Sequence, residues 1–232
     1  MREIIFDTET TGVDPATGDR MVEIGCIEMV NRVATGRTFH AYYNPERDMP
    51  ADAERVHGLS STFLADKPLF RDGFAELLDF LEDSPLVAHN ARFDFGFLNS
   101  ELGLCGQAHV CDTRMVDTLV LARRRHPGAK HSLDALCTRY GVDRSHRVLH
   151  GALLDAELLA QVYVELTGGR QIGLGLADDA EIGETDPARA VSGLFRPKIG
   201  PSRAPRPHAA TAEELARHAA FLESLDSPLW TR

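Results

Sequence analysis

Apolar residues follow a strand rhythm in the first third of the chain and a mixture of strand and helix rhythms after it. Residues 3–9 (EIIFDTE) begin with a continuous apolar run and end in polar residues, the pattern of a strand covered on both faces. Residues 21–30 (MVEIGCIEMV) and 37–44 (RTFHAYYN) predict two further strands, and NRVATG between them carries turn residues, so the pair reads as a hairpin. Residues 72–83 predict an amphipathic helix, with Asp72 as N-cap and a stripe of Phe74, Leu77, Leu78 and Leu81. Residues 85–88 (PLVA) predict a short strand, after which Asn90 opens a helix through Phe93, Phe97, Leu98 and Leu102. A helix capped by Ser132 and closed by Gly141 is predicted over 131–141, and a longer one ending in a glycine pair over 151–169. Strands first, then alternating helix and strand, is the pattern of an α/β fold: a mixed sheet flanked by helices.

The rhythm stops after Gly169. Residues 177–210 are rich in Ala, Pro, Arg, Asp and Gly without apolar periodicity and read as a flexible linker. It resumes at the end, where Thr211 and Glu214 have capping-box spacing and Leu215, Phe221, Leu222 and Leu225 give apolar surface. An isolated helix this short is marginal in water. On a tether, and followed by Leu229 and Trp230, it reads as a segment that docks on a partner. The expected division is therefore a domain over 1–170, a linker over 171–210 and a docking segment over 211–232.

Composition narrows the picture. The 232 residues suffice for one good-sized core, and 43% hydrophobic with 26% charged residues is ordinary for a globular chain. No apolar run is long enough to cross a bilayer and the N-terminus lacks a signal-peptide layout, so the expected location is the cytoplasm. Cys26, Cys105, Cys111 and Cys137 form no CxxC pair and sit among apolar residues, as buried thiols would. The formal net charge of −10 excludes a protein that grips duplex nucleic acid by a basic surface alone. One basic cluster, residues 122–131 (ARRRHPGAKH), reads as a solvated loop, or else as a contact for a DNA strand or a partner.

Candidate chemistry lies in carboxylates embedded in apolar segments. Asp7 and Glu9 sit two apart on a strand and share a face, about 7 Å apart at roughly 3.3 Å per residue. Asp94 lies between Phe93 and Phe95, and Asp155 lies on a face with Gly151, Ala152, Leu158, Leu159 and Val162. Small residues one turn before Asp155 leave room for something to approach. A carboxylate buried in such a setting must be paired or bind metal. His150 falls about 140° around a helix from Asp155, so it is expected ahead of the first turn, on a loop, free to swing over the site. Convergence of these groups would require hard divalent cations to offset the repulsion. Two such ions about 3.5–4 Å apart suit phosphoryl displacement.

The segments FDTETTG, HNARFDFGFL and HGALLDAELL, in this order, resemble the three motifs of the DnaQ-like 3′–5′ exonucleases with the Asp-Glu-Asp-Asp-His set. With VNRVATGRTFHAYYNP, VHGLS, HSLDALCTRYGVD and YVELTGG, the resemblance covers about residues 3–170 and is strongest to the proofreading branch found in bacterial replicative polymerases. It implies a ribonuclease H-like fold and hydrolysis with two divalent ions, Mg²⁺ or Mn²⁺. Asp7, Glu9 and Asp155 would hold the first ion, Asp7 would bridge to the second, Asp94 would assist, and His150 would be the general base. The implied substrate is a single-stranded or frayed 3′ DNA end, and the product a deoxynucleoside 5′-monophosphate.

Glu9, Asp52, His57 and Asp155 would meet the terminal nucleotide, although Asp52 replaces a frequent Glu and His57 reads equally as a structural histidine at a helix end. The backbone from Thr10 to Gly12 would lie beside the substrate's 3′ end, with Thr8 structural. Gln171, Leu174 and Leu176 have the Q-x-x-L-x-L shape of a sliding-clamp-binding peptide, and residues 211–232 would bind the polymerase catalytic subunit. Both tethers would raise the local concentration of an acidic enzyme near DNA. Two other functions fit parts of the pattern. An RNA-trimming exonuclease of the same family would usually lack the tail, and a non-catalytic scaffold would have no use for the intact acid set.

Overall fold

The computed structural model describes residues 1–145, 149–169 and 210–224. The described residues up to Gly169 belong to one unit and those from 210 to 224 to another. The proposed clamp peptide (Gln171, Leu174, Leu176), nearly all of the expected linker, and Leu225, Leu229 and Trp230 lie outside the described residues.

The first unit is built on a five-stranded sheet of order β3-β2-β1-β4-β5. Strand β1 (Arg2–Thr10) runs antiparallel to β2 (Met21–Val30), which pairs antiparallel with β3 (Val33–Tyr42). On its other side β1 runs parallel to β4 (Leu86–Ala88), and β4 runs parallel to β5 (Met115–Asp117). The hairpin turn is only Asn31 and Arg32, both with positive φ, as two-residue hairpins require. Val33 and Ala34 therefore pair with Val30 and Met29, and β3 starts four residues earlier than expected.

The apolar run of β1 is explained by cover on both faces. Ile4 and Phe6 pack with α3 (Phe70–Leu81) and α4 (Ala91–Leu104) through Leu77, Leu81, Phe95, Leu98 and Leu102. Ile5 packs on the opposite side with Ala156, Leu159 and Tyr163 of α7 (Ala152–Leu166). Helices α5 (Thr118–Arg125) and α6 (Leu133–Tyr140) pack behind α7 through Ala122, Leu136 and Cys137. Two short helices, α1 (Ala51–His57) and α2 (Ser61–Leu64), follow the hairpin. No described helix is long and apolar enough to cross a membrane.

Several local details differ from the sequence-based expectation. Helix α3 starts two residues before Asp72, at Phe70, whose ring is buried; Asp72 is in the first turn, where a carboxylate favours the helix dipole. Asn90 holds the N-cap position of α4, but with φ of 65° its side chain makes no capping bond. Its own N–H instead donates to Asp117 Oδ1 (3.1 Å) at the end of β5. Ser132 and Gly141 bound α6 as predicted. The basic cluster is not one loop: Arg123–Arg125 form the exposed last turn of α5, and Arg125 donates to the Leu166 carbonyl at 2.9 Å. All four cysteines are free, and Cys111 is exposed rather than buried because it sits outside the sheet and helices.

The small residues ahead of Asp155 do accept a close approach, and what approaches is β2. Gly25 lies against the backbone of Ala152 and Leu153, where a Cβ would overlap main-chain atoms. Gly25→Ala is therefore expected to push α7 off the sheet and lower stability by about 1–3 kcal/mol. A thermal midpoint equal to the parent's would contradict this packing.

In the second unit, α8 (Ala212–Glu223) carries the predicted capping box: the Glu214 N–H donates to Thr211 Oγ1 (3.2 Å) and the Thr211 N–H to Glu214 Oε2 (2.8 Å). Its Leu215 and Phe221 are exposed.

Candidate active site

The parallel strands β1, β4 and β5 end on the same side of the sheet, where open α/β sheets place their ligands. Asp7 and Glu9 stand near the end of β1 and share a face, as the alternation of a strand dictates. That face is the one covered by α7 and leads to Asp155 in the first turn of the helix, 4% exposed. Thr8 points to the opposite face, covered by α4, and its hydroxyl donates to Asp94 Oδ1 at 2.8 Å. Asp94 lies in the first turn of α4 and is 2% exposed. Both helix acids thus sit at helix N-termini, where the macrodipole favours negative charge.

His150 is outside α7, whose N-cap is Gly151, and its Nδ1 reaches Asp155 Oδ2 at 3.1 Å. The loop placement inferred from the helical angle is what lets the two side chains meet. One ligand atom each from Glu9, His150 and Asp155 lies within 4.8 Å of the others.

The electrostatics are those of crowded acids. Burial, then repulsion from Asp94, Glu9, Asp155 and Glu23, holds the Asp7 carboxyl well above the usual carboxylate range. Burial pushes Asp94 up to about 7, against the opposing effect of the Thr8 hydroxyl. Neither Asp7 nor Asp94 has a cationic partner among the described residues. A donor set of carboxylate oxygens and one imidazole, in which burial and neighbouring acids disfavour the charge on Asp7, fits a hard divalent cation. Glu9, Asp155, Asp7 and His150 could hold it.

A cleft of about 490 Å³ adjoins the cluster and shares Glu9 with it. Its walls include Thr10–Val13, Asp52, Val56, His57 and Phe93. Asp19, which also lines the cleft, packs its carboxylate on Gly12 and pairs with Arg47 at 2.9 Å. His57 ends α1 and is 5% exposed; its Nδ1 accepts the Leu59 N–H (3.0 Å), and its Nε2 has no partner of normal geometry among the described residues. Burial lowers its pKa, so the imidazole presented to the cleft is neutral at pH 7. Asp52 lines the same cleft, but its carboxylate is almost fully exposed and pairs with Arg55 at 3.0 Å.

Two residues near the site had no sequence signal as site residues. Thr8 orients Asp94, a role hidden because a strand threonine looks like any β-former. Glu23 lies directly across from Glu9 on β2, is 3% exposed, and meets His40 Nε2 at 2.7 Å. Only strand register could reveal it.

The exonuclease family model (RNase_T) matches residues 4–163. The chain is 51% identical over 229 residues to the DNA polymerase III subunit epsilon of Rickettsia typhi, covering 97% of each chain. The chain belongs to the exonuclease family, in its DNA polymerase III epsilon branch. The epsilon subunit of Salmonella typhimurium is 43% identical over 230 residues, covering 96% of this chain and 92% of the relative. Among solved structures, exonuclease X in complex with 5′-overhanging duplex DNA matches with a TM-score of 0.56 and 26% identity, covering 71% of this chain and 90% of that one. The nuclease domain of 3′hExo bound to rAMP, described as a DEDDh family member, matches in fold with a TM-score of 0.62 at 16% identity, covering 72% and 91%. The sheet and its flanking helices are thus those of the ribonuclease H-like exonucleases. An exonuclease of this family is a metal-dependent nuclease, and the cluster at Glu9, His150 and Asp155 is consistent with that.

Proposed function

We propose that this chain is the proofreading subunit of a bacterial replicative polymerase, removing mispaired 3′-terminal nucleotides and working in the cytoplasm at the replication fork. The observation that carries the reading is the meeting of Glu9, His150 and Asp155 within 4.8 Å beside a nucleotide-sized cleft, in a chain that matches epsilon subunits along nearly all of its length.

Asp7, Glu9 and Asp155, with Asp94 supporting, would hold two divalent ions, Mg²⁺ or Mn²⁺. When bound, these supply charge stabilisation for the attacking and leaving oxygens of phosphodiester hydrolysis. Thr8 keeps Asp94 turned toward the site by its hydroxyl. His150, on its loop, takes the proton of the attacking water and works in its neutral form. The terminal nucleotide enters the cleft, which His57 and the Thr10–Gly12 segment line, with Asp52 at the rim. The product is a deoxynucleoside 5′-monophosphate.

Residues 211–232 would dock on the polymerase catalytic subunit, a role supported by the capped helix α8 with Leu215 and Phe221 exposed. Gln171, Leu174 and Leu176 would bind the sliding clamp, on the strength of their sequence shape. Either attachment would answer the charge problem, since an acidic enzyme held at the primer terminus needs no basic surface of its own.

The test is hydrolysis of a labelled DNA primer with a mispaired 3′ end, beside the same primer in RNA, with Mg²⁺ and with chelator. Expected is metal-dependent release of deoxynucleoside monophosphate, faster from the mispaired end than from a paired one. Faster trimming of the RNA primer would favour the RNA-exonuclease reading instead.

A further inference from the structure

The segment that carries His150 is attached to helix α1, and α1 is a wall of the nucleotide cleft. The His150 N–H donates to the carbonyl of Val56 at 3.2 Å, in the last turn of α1. Leu149, half exposed, rests its Cδ1 on Gly58, so close that a Cβ there would lie 2.6 Å away. Gly58 has φ of +76°, so the turn leaving α1 is glycine-shaped both in backbone and in the space it leaves for Leu149. Between them lies His57, which with Val56 faces the cleft. The His150 imidazole is held on Asp155 and the His150 backbone on α1.

Resting on the exonuclease reading above, we infer that Leu149, seated on Gly58, is a positioning residue. It joins the His150 segment to the last turn of α1, so that a 3′-terminal nucleotide in the cleft sets the placement of His150. The argument is geometric. An occupant of the cleft contacts the last turn of α1, and the segment held by Val56 and Gly58 moves with that turn. Leu149 makes this attachment without lining the cleft or joining the ligand cluster. Truncating it therefore loosens the base while leaving nucleotide contacts and acids in place.

The experiment compares the full chain with Leu149→Ala and Leu149→Met on single-stranded DNA with Mg²⁺, together with the histidine resonances during titration with thymidine 5′-monophosphate. The His150 signal is identified by its absence in His150→Gln. Expected for Leu149→Ala is a kcat lowered about tenfold or more, with KM within twofold of the parent and an unchanged thermal midpoint. Leu149→Met, which restores the apolar reach, is expected to return kcat to within threefold. The nucleotide-induced shift of the His150 signal is expected in the parent and lost in Leu149→Ala. Any other division of the loss between kcat and KM overturns the inference, as does a His150 shift that survives in Leu149→Ala. Absence of hydrolysis by the parent protein would instead count against the exonuclease reading itself.

Discussion

Asp7→Asn is expected to lower hydrolysis by about 10³-fold or more, the scale reached when a group that stabilises developing charge is lost. The fold is expected to survive. Asp7 packs no core position that Asn would leave empty, and its carboxyl is disfavoured by burial and by four neighbouring acids. Removing that charge relieves a cost, so the metal-free variant should melt no lower than the parent at pH 8. The same substitution should remove most of the thermal shift that Mg²⁺ or Mn²⁺ gives the parent, because the ion loses a ligand near the centre of the cluster. Full activity in Asp7→Asn, or an unchanged metal-induced shift, would sink the metal-site assignment.

The second large effect is a pH dependence of stability that divalent ions reverse. Asp94 titrates near 7 in the folded chain, against about 3.9 when unfolded. Between these values the native state binds more protons than the unfolded state, so this group's contribution to stability falls as pH rises. The loss from pH 4 to 8 amounts to a few kcal/mol, roughly 5–10 °C in thermal midpoint for a domain of this size. Asp7, raised by burial and then by repulsion from Asp94, acts in the same direction. Carboxylates held low by partners, such as Glu28 beside Arg2 and Arg37, act in the opposite direction. The measurement therefore compares parent and Asp94→Asn in chelator at pH 5 and 8. The parent should lose more on going to pH 8. Mg²⁺ should restore more at pH 8 than at pH 5, since ions bind the deprotonated acids. Equal pH dependence in the two proteins would show that Asp94 is not the buried, proton-binding acid described here.

How much of this was readable from the chain depends on whether a feature is local. The two-residue period of a strand put Asp7 and Glu9 on one face, and the helical angle put His150 outside α7; both hold. Ser132, Gly141 and the Thr211–Glu214 capping box were legible because caps are set by residues three or four apart. Strand β5 was not: its residues MVD make no apolar run like the LVA of β4, and it pairs along the edge that β4 offers. The start of α3 was misplaced because the burial of Phe70 outweighs the capping preference of Asp72. Asn90 looked like a cap, yet with its left-handed backbone the side chain makes no capping bond, and its own N–H donates to Asp117 instead.

The site divides the same way. The identities of its acids and histidine came from motifs, because each lies in an apolar segment that makes a charge conspicuous. Their neighbours did not. Thr8 on Asp94, Glu23 across from Glu9, and Leu149 on Gly58 join residues 86, 14 and 91 positions apart, and only a folded chain brings them together. The sequence by itself determined the strand and helix rhythm, the five chemical groups and the family to which they belong. The tertiary structure alone decided which acids repel, which are held by hydrogen bonds, and that the histidine's loop is fastened to the wall of the nucleotide cleft. Those are interactions between side chains whose distance depends on sheet register and helix packing, not on spacing along the chain.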